Sequence, residues 1–370
     1  MDTDILVYVC ALSKVFAYKC AAGRQLADTL GGPSAVFTAS HKTLRDVLHH
    51  ADLYVDALTD PSLLEWARAE VEWAAGNGVE LLPYFSTRYP RRLAECDDAP
   101  LMLYYKGNAD LNARRVLAVV GTRKATWYGR ECCRRIVARL AALPERPLIV
   151  SGLALGVDGC AHLAALENGL QTVGVMPTGM DEIYPVQHRS LARRIEGQGG
   201  LVTDFPRLTA PVAHTFIRRN RLIAGMADAT LLVESYARGG GLITVSLADS
   251  YGREVFAVPG RLTDPSFAGC HDMIARNIAQ LVKDPDSIPL AMGWVAQASV
   301  KGRTSAFRPD DSPLKRAVLR LLGERGSLTA DELAVLTHED ASAVSVVLFE
   351  LEVEGRAAAE FGNKYARVGG

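Results

Sequence analysis

The first 80 residues carry apolar side chains at helical spacing. Three segments show this pattern, residues 15–30, 44–53 and 62–75, and a Gly-Gly-Pro-Ser stretch at 31–34 separates the first two. We therefore predict a small helical domain over residues 1–80. A short apolar run at 101–105 follows and predicts a strand that leads into the next domain.

A different pattern begins at residue 116, where short, continuously apolar runs alternate with helical segments. The runs lie at 116–120, 148–150, 172–176, 201–203, 230–233 and 255–258. Strands without polar alternation are covered on both faces, which is typical of a parallel sheet. We predict an α/β fold with a doubly wound parallel sheet over residues 81–292, in which a helix at 130–143 is one crossover.

The last part of the chain follows the order of a winged helix. Residues 293–312 predict a linker, because Gly302, Pro309 and neighbouring polar residues interrupt the apolar pattern. Helices are predicted at 314–322, 330–336 and 341–353, followed by strands at 357–361 and 364–368 across a Gly362-Asn363 turn. The third helix has no Lys, Arg, Asn or Gln. We therefore expect this domain, residues 313–370, to contact protein or to pack rather than to read duplex DNA.

The most basic segment, residues 215–227, places three arginines, an asparagine and a phenylalanine within six positions. No acidic residue occurs from 205 to 227. Positive charge that no nearby carboxylate compensates indicates a binding site for an anion. Leu222, Ile223 and Met226 follow at helical spacing, so we expect the basic cluster to open a helix and direct its N-terminal dipole at that anion. Alternatively, these cations are solvated or pair with carboxylates elsewhere.

Glycine-containing turns follow four of the predicted strands, at residues 121–124, 151–156, 177–179 and 234–241. Arg123 and Arg238 add positive charge to two of them. Ligands of doubly wound sheets collect beyond the carboxyl ends of the strands, and glycine lets backbone N–H groups approach a phosphate. These turns therefore predict a phosphate site on one rim of the sheet, although each glycine alone would indicate only a tight turn.

Composition limits the possible classes of protein. The chain has 370 residues, 49% hydrophobic and 22% charged, with a formal net charge of −1, which suits two or three domains. The excess of Lys and Arg over Asp and Glu lies in the central part of the chain. An acidic N-terminus and an apolar run at 5–12 that is too short to span a membrane predict a cytoplasmic protein without a membrane segment. Seven cysteines without a C-x-x-C pair predict neither disulfides nor a zinc site.

The common nucleotide-binding signatures are absent from the sequence. There is no G-x-x-x-x-G-K-[ST] segment, and no G-x-G-x-x-G follows the first strand of the sheet, which disfavours a conventional ATPase or NAD enzyme. Asp158 and His162 are four residues apart and share a helical face, where they form either an acid/base pair or structural hydrogen bonds. The missing signatures and the unpaired cysteines predict no metal and no cofactor.

A series of short motifs keeps a fixed order across residues 116–282. It includes AVVGTR at 118–123, SGLA at 151–154, GVD at 156–158, IYP at 183–185, RNR at 219–221, GREVFAVPG at 252–260 and GCH at 269–271. This series resembles the DNA-processing protein A (Smf) family of bacterial transformation. Residues 1–80 resemble the sterile-alpha-motif-like domain of that family, and residues 313–368 resemble its winged helix.

The resemblance implies a function as well as a fold. It implies an extended Rossmann-like domain that binds single-stranded DNA without strong sequence preference and protects incoming strands. It also implies that the protein helps to remove single-strand-binding protein, loads a RecA-type recombinase, forms a homodimer and catalyses no reaction.

The resemblance assigns roles to particular residues. Arg123 and the Ser151-Gly152 turn would form a phosphate pocket, and Phe216 would stack on a base. The full implied DNA-binding set is Gly121, Thr122, Arg123, Lys124, Ser151, Gly152, His214, Phe216, Arg218, Arg219, Asn220, Arg221, Gly239, Gly240 and Gly241. His271, Met273 and Ile274 are implied in a dimer and recombinase surface, where Asn277-Ile278 departs from the family pattern.

A second departure concerns charge next to the phenylalanine. A lysine is frequent in the family three residues before it, whereas this chain has Ala213 followed by His214. If His214 replaces that lysine, single-strand binding should strengthen as pH falls through about 6.5, the ordinary pKa of histidine.

Two other functions remain open at this point. One is an enzyme of the lysine-decarboxylase-like phosphoribohydrolase group that uses Asp158, His162 or Glu234, although the chain lacks that group's Pro-Gly-Gly-x-Gly-Thr stretch. The other is a protein-binding scaffold that acts through the acidic terminal domains, which would leave the central arginines unexplained.

Overall fold

A computed structural model describes residues 3–295, 311–360 and 363–367. The chain forms two compact units, Met1–Pro289 and Leu290–Gly370. Most of the predicted linker, residues 296–310, lies outside the described residues, as do residues 361, 362 and 368 of the predicted hairpin. The predicted domain boundaries at residues 80, 292 and 312 stay predictions.

Short helices open the first unit. They are α1 (Thr3–Val15), α2 (Cys20–Leu30), α3 (Pro33–Thr38), α4 (His41–Val47), α5 (Asp52–Thr59) and α6 (Pro61–Gly76). Helix α6 begins where the Asp60 carboxylate accepts the Ser62 N–H at 2.9 Å, with Pro61 at the first helical position.

Two of the predicted helices are interrupted in the structure. The predicted helix at 15–30 is wrong in its first turn, because α1 ends at Val15 and α2 begins only at Cys20. The predicted helix at 44–53 is divided between α4 and α5. His49 and His50 between them have φ angles of 50° and 64°, a left-handed conformation that an α-helix does not continue.

Within the described residues, the first unit contains one nine-stranded sheet. Its strands are β1 (Glu80–Pro83), β2 (Met102–Gly107), β3 (Val116–Val120), β4 (Leu148–Ser151), β5 (Thr172–Val175), β6 (Gly200–Thr203), β7 (Ala229–Leu232), β8 (Glu254–Ala257) and β9 (Gln280–Leu281). The spatial order is β1-β2-β6-β5-β4-β3-β7-β8-β9. Strands β3 to β9 pair in parallel, whereas β1 and β2 are antiparallel. The predicted doubly wound α/β fold is confirmed, and each of the six predicted strands agrees with an observed one to within a residue at either end.

Helices connect the parallel strands. They are α8 (Trp127–Ala141), α9 (Val157–Glu167), α10 (Arg189–Gln198), α11 (Ala213–Gly225), α12 (Gly241–Ser250) and α13 (Ala268–Ala275), while the short α7 (Arg91–Ala94) precedes β2 and α14 (Ser287–Ala291) follows β9. From β3 the chain winds outward to β6 and then returns to place β7 on the other side of β3. The gap between β3 and β7 is a topological switch point, where a doubly wound sheet opens a crevice for ligands.

The N-terminal helices pack on the antiparallel edge of the sheet. Apolar side chains of α1 to α6 form one buried cluster with Leu81, Met102 and Tyr104 of β1 and β2. A buried carboxylate adds a polar link, because Glu70 of α6 accepts hydrogen bonds from the backbone N–H and Nε of Arg207 at 2.8 and 2.9 Å. These helices therefore hold the segment that joins β6 to α11.

The second unit is a winged helix, as predicted. Its helices are α15 (Pro313–Arg325), α16 (Ala330–Thr337) and α17 (Ala341–Val353), and its strands are β10 (Leu328–Thr329), β11 (Ala357–Glu360) and β12 (Lys364–Arg367) in the order β10-β12-β11. Lys315 of α15 donates to Glu350 at 3.1 Å and to Glu354 at 2.7 Å, so these two carboxylates at the end of α17 are paired within the unit.

Candidate nucleic-acid interface

A cavity of about 370 Å³ opens at the switch point between β3 and β7. The turns after β3, β4 and β7 and one face of α11 form its walls. Nine residues of the implied DNA-binding set line it, namely Gly121, Thr122, Arg123, Phe216, Arg219, Asn220, Gly239, Gly240 and Gly241. The structure thus brings together residues that are up to 120 positions apart in the sequence.

The turn after β3 is held rigidly under the cavity. Its Thr122 N–H donates to Glu234 O at 2.8 Å, and Val157 N–H donates to Thr122 O at 3.1 Å. A side chain at Gly121 would meet Val157 at 2.6 Å and the Glu234 carbonyl at 2.9 Å, so only glycine fits between the two turns. From this fixed turn the exposed Arg123 places its guanidinium 5.0 Å from the Phe216 ring centroid.

Helix α11 divides its polar residues between two opposite faces. Phe216, Arg219, Asn220 and Ile223 line the cavity, and their spacing of three or four residues places them on one side of the helix. The Phe216 ring also contacts Tyr184 edge to face, with centroids 5.3 Å apart. Arg219 and the Phe216 ring therefore face the same cavity.

Arg219 forms part of the cavity floor. Only 4% of the residue is exposed, its Nη1 donates to Val175 O at 3.1 Å, and its Nε has no hydrogen-bond partner within the described residues. A Cβ at Gly152 would overlap the guanidinium, so glycine there makes room for it. Burial lowers the pKa of Arg219 to about 10, with a further decrease from Arg123 and an opposing effect of Asp158. Arg219 is therefore a cation at neutral pH with unused donor capacity.

The other two arginines of α11 point away from the cavity. Arg218 donates to Asp204 at 2.8 Å and lies between the rings of Tyr18 and Phe205, at 4.9 and 4.8 Å from their centroids. Arg221 donates to the same carboxylate and to Asp98 O. The interpretation that no carboxylate compensates this cluster is wrong for both residues, because Asp204 approaches them through the fold.

The expected position of the basic cluster at a helix start is also wrong. Helix α11 begins at Ala213, and Thr215 Oγ1 accepts the Val212 N–H at 3.2 Å in its first turn. The arginines lie in the second and third turns, so the N-terminal dipole of α11 is not centred on them.

Four further residues of the implied set lie outside the cavity lining. Ser151 is buried at the end of β4, where its hydroxyl donates to Val119 O at 2.6 Å, and Gly152 lies beneath Arg219. Lys124 is exposed beside Arg123, and His214 is exposed in the first turn of α11. Their roles in DNA binding stay predictions.

The two candidate acid/base residues do not meet at the cavity. Asp158 lines it and accepts the Ala154 N–H at 3.4 Å, and burial raises the pKa of its carboxyl. His162 is buried away from the cavity, 2.7 Å from the Thr172 hydroxyl, which itself donates to Ile149 O. Since that hydroxyl has a single proton, His162 Nδ1 is the donor, and its Nε2 has no partner within the described residues. Burial lowers the pKa of His162 to about 3, so it is neutral and structural at pH 7.

Glu234, a further candidate for catalysis, is also enclosed. Its Oε2 accepts hydrogen bonds from the N–H and hydroxyl of Thr126 at 2.9 and 3.0 Å. A side chain at Gly129 would overlap this carboxylate, which packs against the start of α8. Glu234 thus stabilises the turn after β3 instead of facing the cavity.

The implied dimer residues lie on α13 and differ in exposure. Met273 is buried, and His271 Nε2 is 3.2 Å from Gly260 O, whereas Ile274 is partly exposed. Their place in a dimer or recombinase surface stays a prediction.

Comparisons with known proteins place this architecture in a family. A sequence model described as DNA recombination-mediator protein A matches residues 80–292, and one described as DprA winged helix domain matches residues 304–363. The first match alone covers more than half of the chain. The chain belongs to the DNA recombination-mediator protein A family. The resemblance seen in the sequence is confirmed.

Relatives of this family agree in sequence and in fold. Protein Smf of Escherichia coli is 34% identical over 316 residues, which cover 82% of this chain and 83% of that protein. The structure of DNA processing protein A from Streptococcus pneumoniae has a TM-score of 0.56 and 28% identity, covering 72% of this chain and 96% of that one. DNA processing protein A from Helicobacter pylori, described for its single-stranded DNA binding mode, has a TM-score of 0.53 and 25% identity, covering 58% and 96% of the two chains.

Within the described residues, this member of the DNA recombination-mediator protein A family has no helix with the length and apolar character needed to cross a bilayer. The same part of the chain contains no group of three His, Cys, Asp or Glu side chains placed to hold a metal ion.

Sequence reasoning missed the apolar walls of the cavity and the aromatic contact of Phe216. Ile217, Ile223 and Ile243 line the cavity, and Tyr184 packs on Phe216. The helical spacing from Phe216 to Ile223 could have shown that both residues lie on the same side of α11. Nothing local in the sequence pairs Tyr184 with Phe216.

Proposed function

We propose that this protein binds single-stranded DNA in the cavity at the switch point. The observation that carries the proposal is that Arg123, Phe216 and Arg219 line one cavity, in which the Arg123 cation lies 5.0 Å from the centroid of the aromatic ring. Proteins that hold single strands without sequence preference combine a cationic groove for phosphates with aromatic rings for bases. Single-stranded DNA binding by the Helicobacter pylori relative supports the proposal.

The residues of the cavity suit both parts of a nucleotide. Arg123 would approach a phosphate from the solvent side and Arg219 from the floor. The backbone N–H groups of Gly240 and Gly241 lie at the start of α12 and would add uncharged donors there, whereas the Gly239 N–H already donates to Tyr236 O at 3.0 Å. Because Arg123 lies next to the Phe216 ring, phosphate and base contacts are adjacent, as they are along a strand.

A ring that stacks on a base selects for a single strand. In a duplex both faces of each base are already stacked on neighbours, so Phe216 could take one only after the base is unstacked. A single strand offers its base faces freely. We therefore assign to Phe216 the preference for single strands and to the cations most of the affinity.

The resemblance to the family implies further functions beyond the binding of single-stranded DNA. We propose that the protein protects incoming single strands in the cytoplasm, helps to remove single-strand-binding protein, loads a RecA-type recombinase, works as a homodimer and catalyses no reaction. Membership of the recombination-mediator family supports these points. A strand-invasion assay with a strand coated by single-strand-binding protein tests the loading, and light scattering tests the dimer.

A binding experiment tests the central proposal. Fluorescence anisotropy would compare a labelled single strand with its duplex at two salt concentrations. We expect tighter binding of the single strand and a logarithmic salt slope of about −0.7 for each phosphate contacted. Equal affinity for both forms, or binding that salt does not weaken, would contradict the proposal.

Replacing Phe216 by alanine should weaken single-strand binding by roughly 1–3 kcal/mol, the range for a base stacked on an aromatic side chain. Phe216→Tyr is the matched control, because it keeps the ring and should keep most of the affinity. Anisotropy with one oligonucleotide measures both variants. Equal losses in the alanine and tyrosine variants would argue against stacking.

His214 should make single-strand binding depend on pH. The exposed imidazole in the first turn of α11 adds a cation only when it is protonated, so affinity should be higher at mildly acidic than at neutral pH. The measurement compares wild type with His214→Ala at mildly acidic and neutral pH. An identical pH dependence in the two proteins would remove this role.

The enzyme alternative is not favoured. His162 is buried against Thr172, Glu234 is enclosed by Thr126, and only Asp158 of the three candidates faces the cavity. A general acid or base must reach the proton that it transfers, and two of the three residues are not placed to do so.

A further inference from the structure

Three segments next to the cavity form a surface that extends beyond the residues to which the proposed function assigns a role. They are residues 121–130 after β3, 235–243 after β7 and 259–263 after β8, and together we call them the outer rim. All three follow the carboxyl ends of neighbouring parallel strands, in the order β3-β7-β8. The first two also line the cavity, so the outer rim continues from it toward β8.

Large side chains of the outer rim are exposed. Trp127 is 74% exposed, Tyr236 is 45% exposed and Leu262 is 93% exposed. Tryptophan buries a large apolar surface in most folded proteins, and an exposed group of such side chains marks a contact surface. An indole ring is also the most effective aromatic platform for a cation or a flat ring system.

The charge of the outer rim has one sign. Its three segments contain no carboxylate and five cations, Arg123, Lys124, Arg130, Arg238 and Arg261, of which Arg123 also lines the cavity. All five are exposed, and none forms an ion pair with a carboxylate of the described residues. A surface that joins unpaired cations with exposed aromatic rings is complementary to a polyanion that carries flat rings.

Trp127 is held in place although its ring is exposed. It is the first residue of α8, where Thr126 Oγ1 accepts the Gly129 N–H at 3.1 Å and donates to Glu234 at 3.0 Å. The next residue, Tyr128, donates to Pro259 O at 3.2 Å and contacts Phe267 edge to face. The start of α8 is thus tied to the loop after β8, and the indole projects from a fixed base.

We infer that the outer rim is a second subsite for the single strand, in which a base stacks on Trp127 and flanking phosphates contact Arg130, Arg238 or Arg261. This inference rests on the proposed function, because the strand would reach the outer rim only after leaving the cavity. The rim extends the site from one base-stacking position to at least two. Binding then depends on oligonucleotide length.

The test compares two oligothymidylates, of about 4 and about 15 nucleotides, which would fill the cavity alone or both subsites. The wild type should bind the longer one more tightly. Trp127→Ala should weaken binding of the longer strand on the order of 10-fold and leave the shorter one unchanged. Trp127→Phe, the matched control, keeps a ring and should retain most of the affinity, whereas Phe216→Ala should weaken both strands.

Each outcome separates the two proposals. If the wild type binds neither strand, the proposed function fails and the outer-rim inference fails with it. If the wild type binds both strands and Trp127→Ala binds the longer one normally, only the outer-rim inference is overturned. Loss of dimer or recombinase binding in Trp127→Ala, with normal DNA affinity, would likewise overturn it and assign the surface to a protein.

Intrinsic fluorescence provides a second measurement. Stacking of a base on an exposed indole quenches its emission, so the longer strand should quench the wild type more than it quenches Trp127→Phe. Trp66 and Trp73 of α6, together with Trp294, give the background signal in both proteins. Equal quenching in the two proteins would place the base elsewhere and contradict the inference.

Discussion

Arg123→Glu is expected to weaken single-strand binding by at least about 100-fold. The variant removes a charge-assisted phosphate contact, worth roughly 1.5–3 kcal/mol, and adds a carboxylate that repels the same phosphate. It also removes the cation above the Phe216 ring. The salt slope of any residual binding should become shallower by about 0.7 for each phosphate that the variant no longer neutralises. Anisotropy titrations at two salt concentrations measure both effects.

A matched charge reversal controls for the change in net charge. Arg193 is exposed on α10, outside the cavity lining and the outer rim, so Arg193→Glu changes the total charge equally. It should lower affinity only slightly, through the long-range field. Comparable losses in the two variants would mean that the overall charge, and not the cavity, determines binding.

Asp204→Ala is expected to lower the free energy of unfolding of the first unit by roughly 3–5 kcal/mol. The Asp204 carboxylate is fully buried and pairs with Arg218 and Arg221. Removing one member of a buried ion pair leaves its partners charged and uncompensated, which is the costly way to break such a pair. Urea denaturation of the full chain, followed by tryptophan emission, measures the loss, because three of the four tryptophans, Trp66, Trp73 and Trp127, lie in this unit.

Asp249→Ala is the control for that stability measurement. Asp249 is exposed at the end of α12, and its replacement should change the unfolding free energy by no more than about 0.5 kcal/mol. If Asp204→Ala were as stable as this control, the ion pairs of Arg218 and Arg221 would not contribute to the fold. The proposal that these arginines contact DNA would then regain support.

The strands could be predicted from sequence because burial on both faces leaves a continuous apolar run. The run at 116–120 agrees with β3 at both ends, since every residue of that strand is buried. The order of the strands in the sheet could not be predicted in this way. The antiparallel pairing of β2 with β6 joins residues about 100 positions apart, and no local pattern encodes that partner.

The arginines of α11 show the limit of sequence reasoning at the site. Helical periodicity separates Arg219 from Arg218 and Arg221, so the division into two faces was available in the sequence. Which face meets solvent was not available, because Asp204 reaches Arg218 and Arg221 only through the path of the segment between β6 and α11. A count of charges along the chain therefore overstated the cations free to bind an anion.

The sequence also does not show which of the candidate catalytic residues face the cavity. Asp158 and His162 occupy one helix at the expected spacing, yet His162 faces the sheet and Asp158 faces the cavity. A spacing of four residues rotates a side chain by about 40° around the helix. That angle is enough to place two neighbours in different surroundings.

The packing of α1 to α6 on the edge of the sheet has a consequence for how small this protein can be made. The family model begins at residue 80, so a fragment cut there loses every side chain of these helices that covers Met102 and Tyr104, together with the Glu70 anchor of Arg207. The segment that the family model matches is therefore shorter at its N-terminal end than the compact unit to which it belongs. In this chain, the matched segment is thus supported by helices that lie outside it.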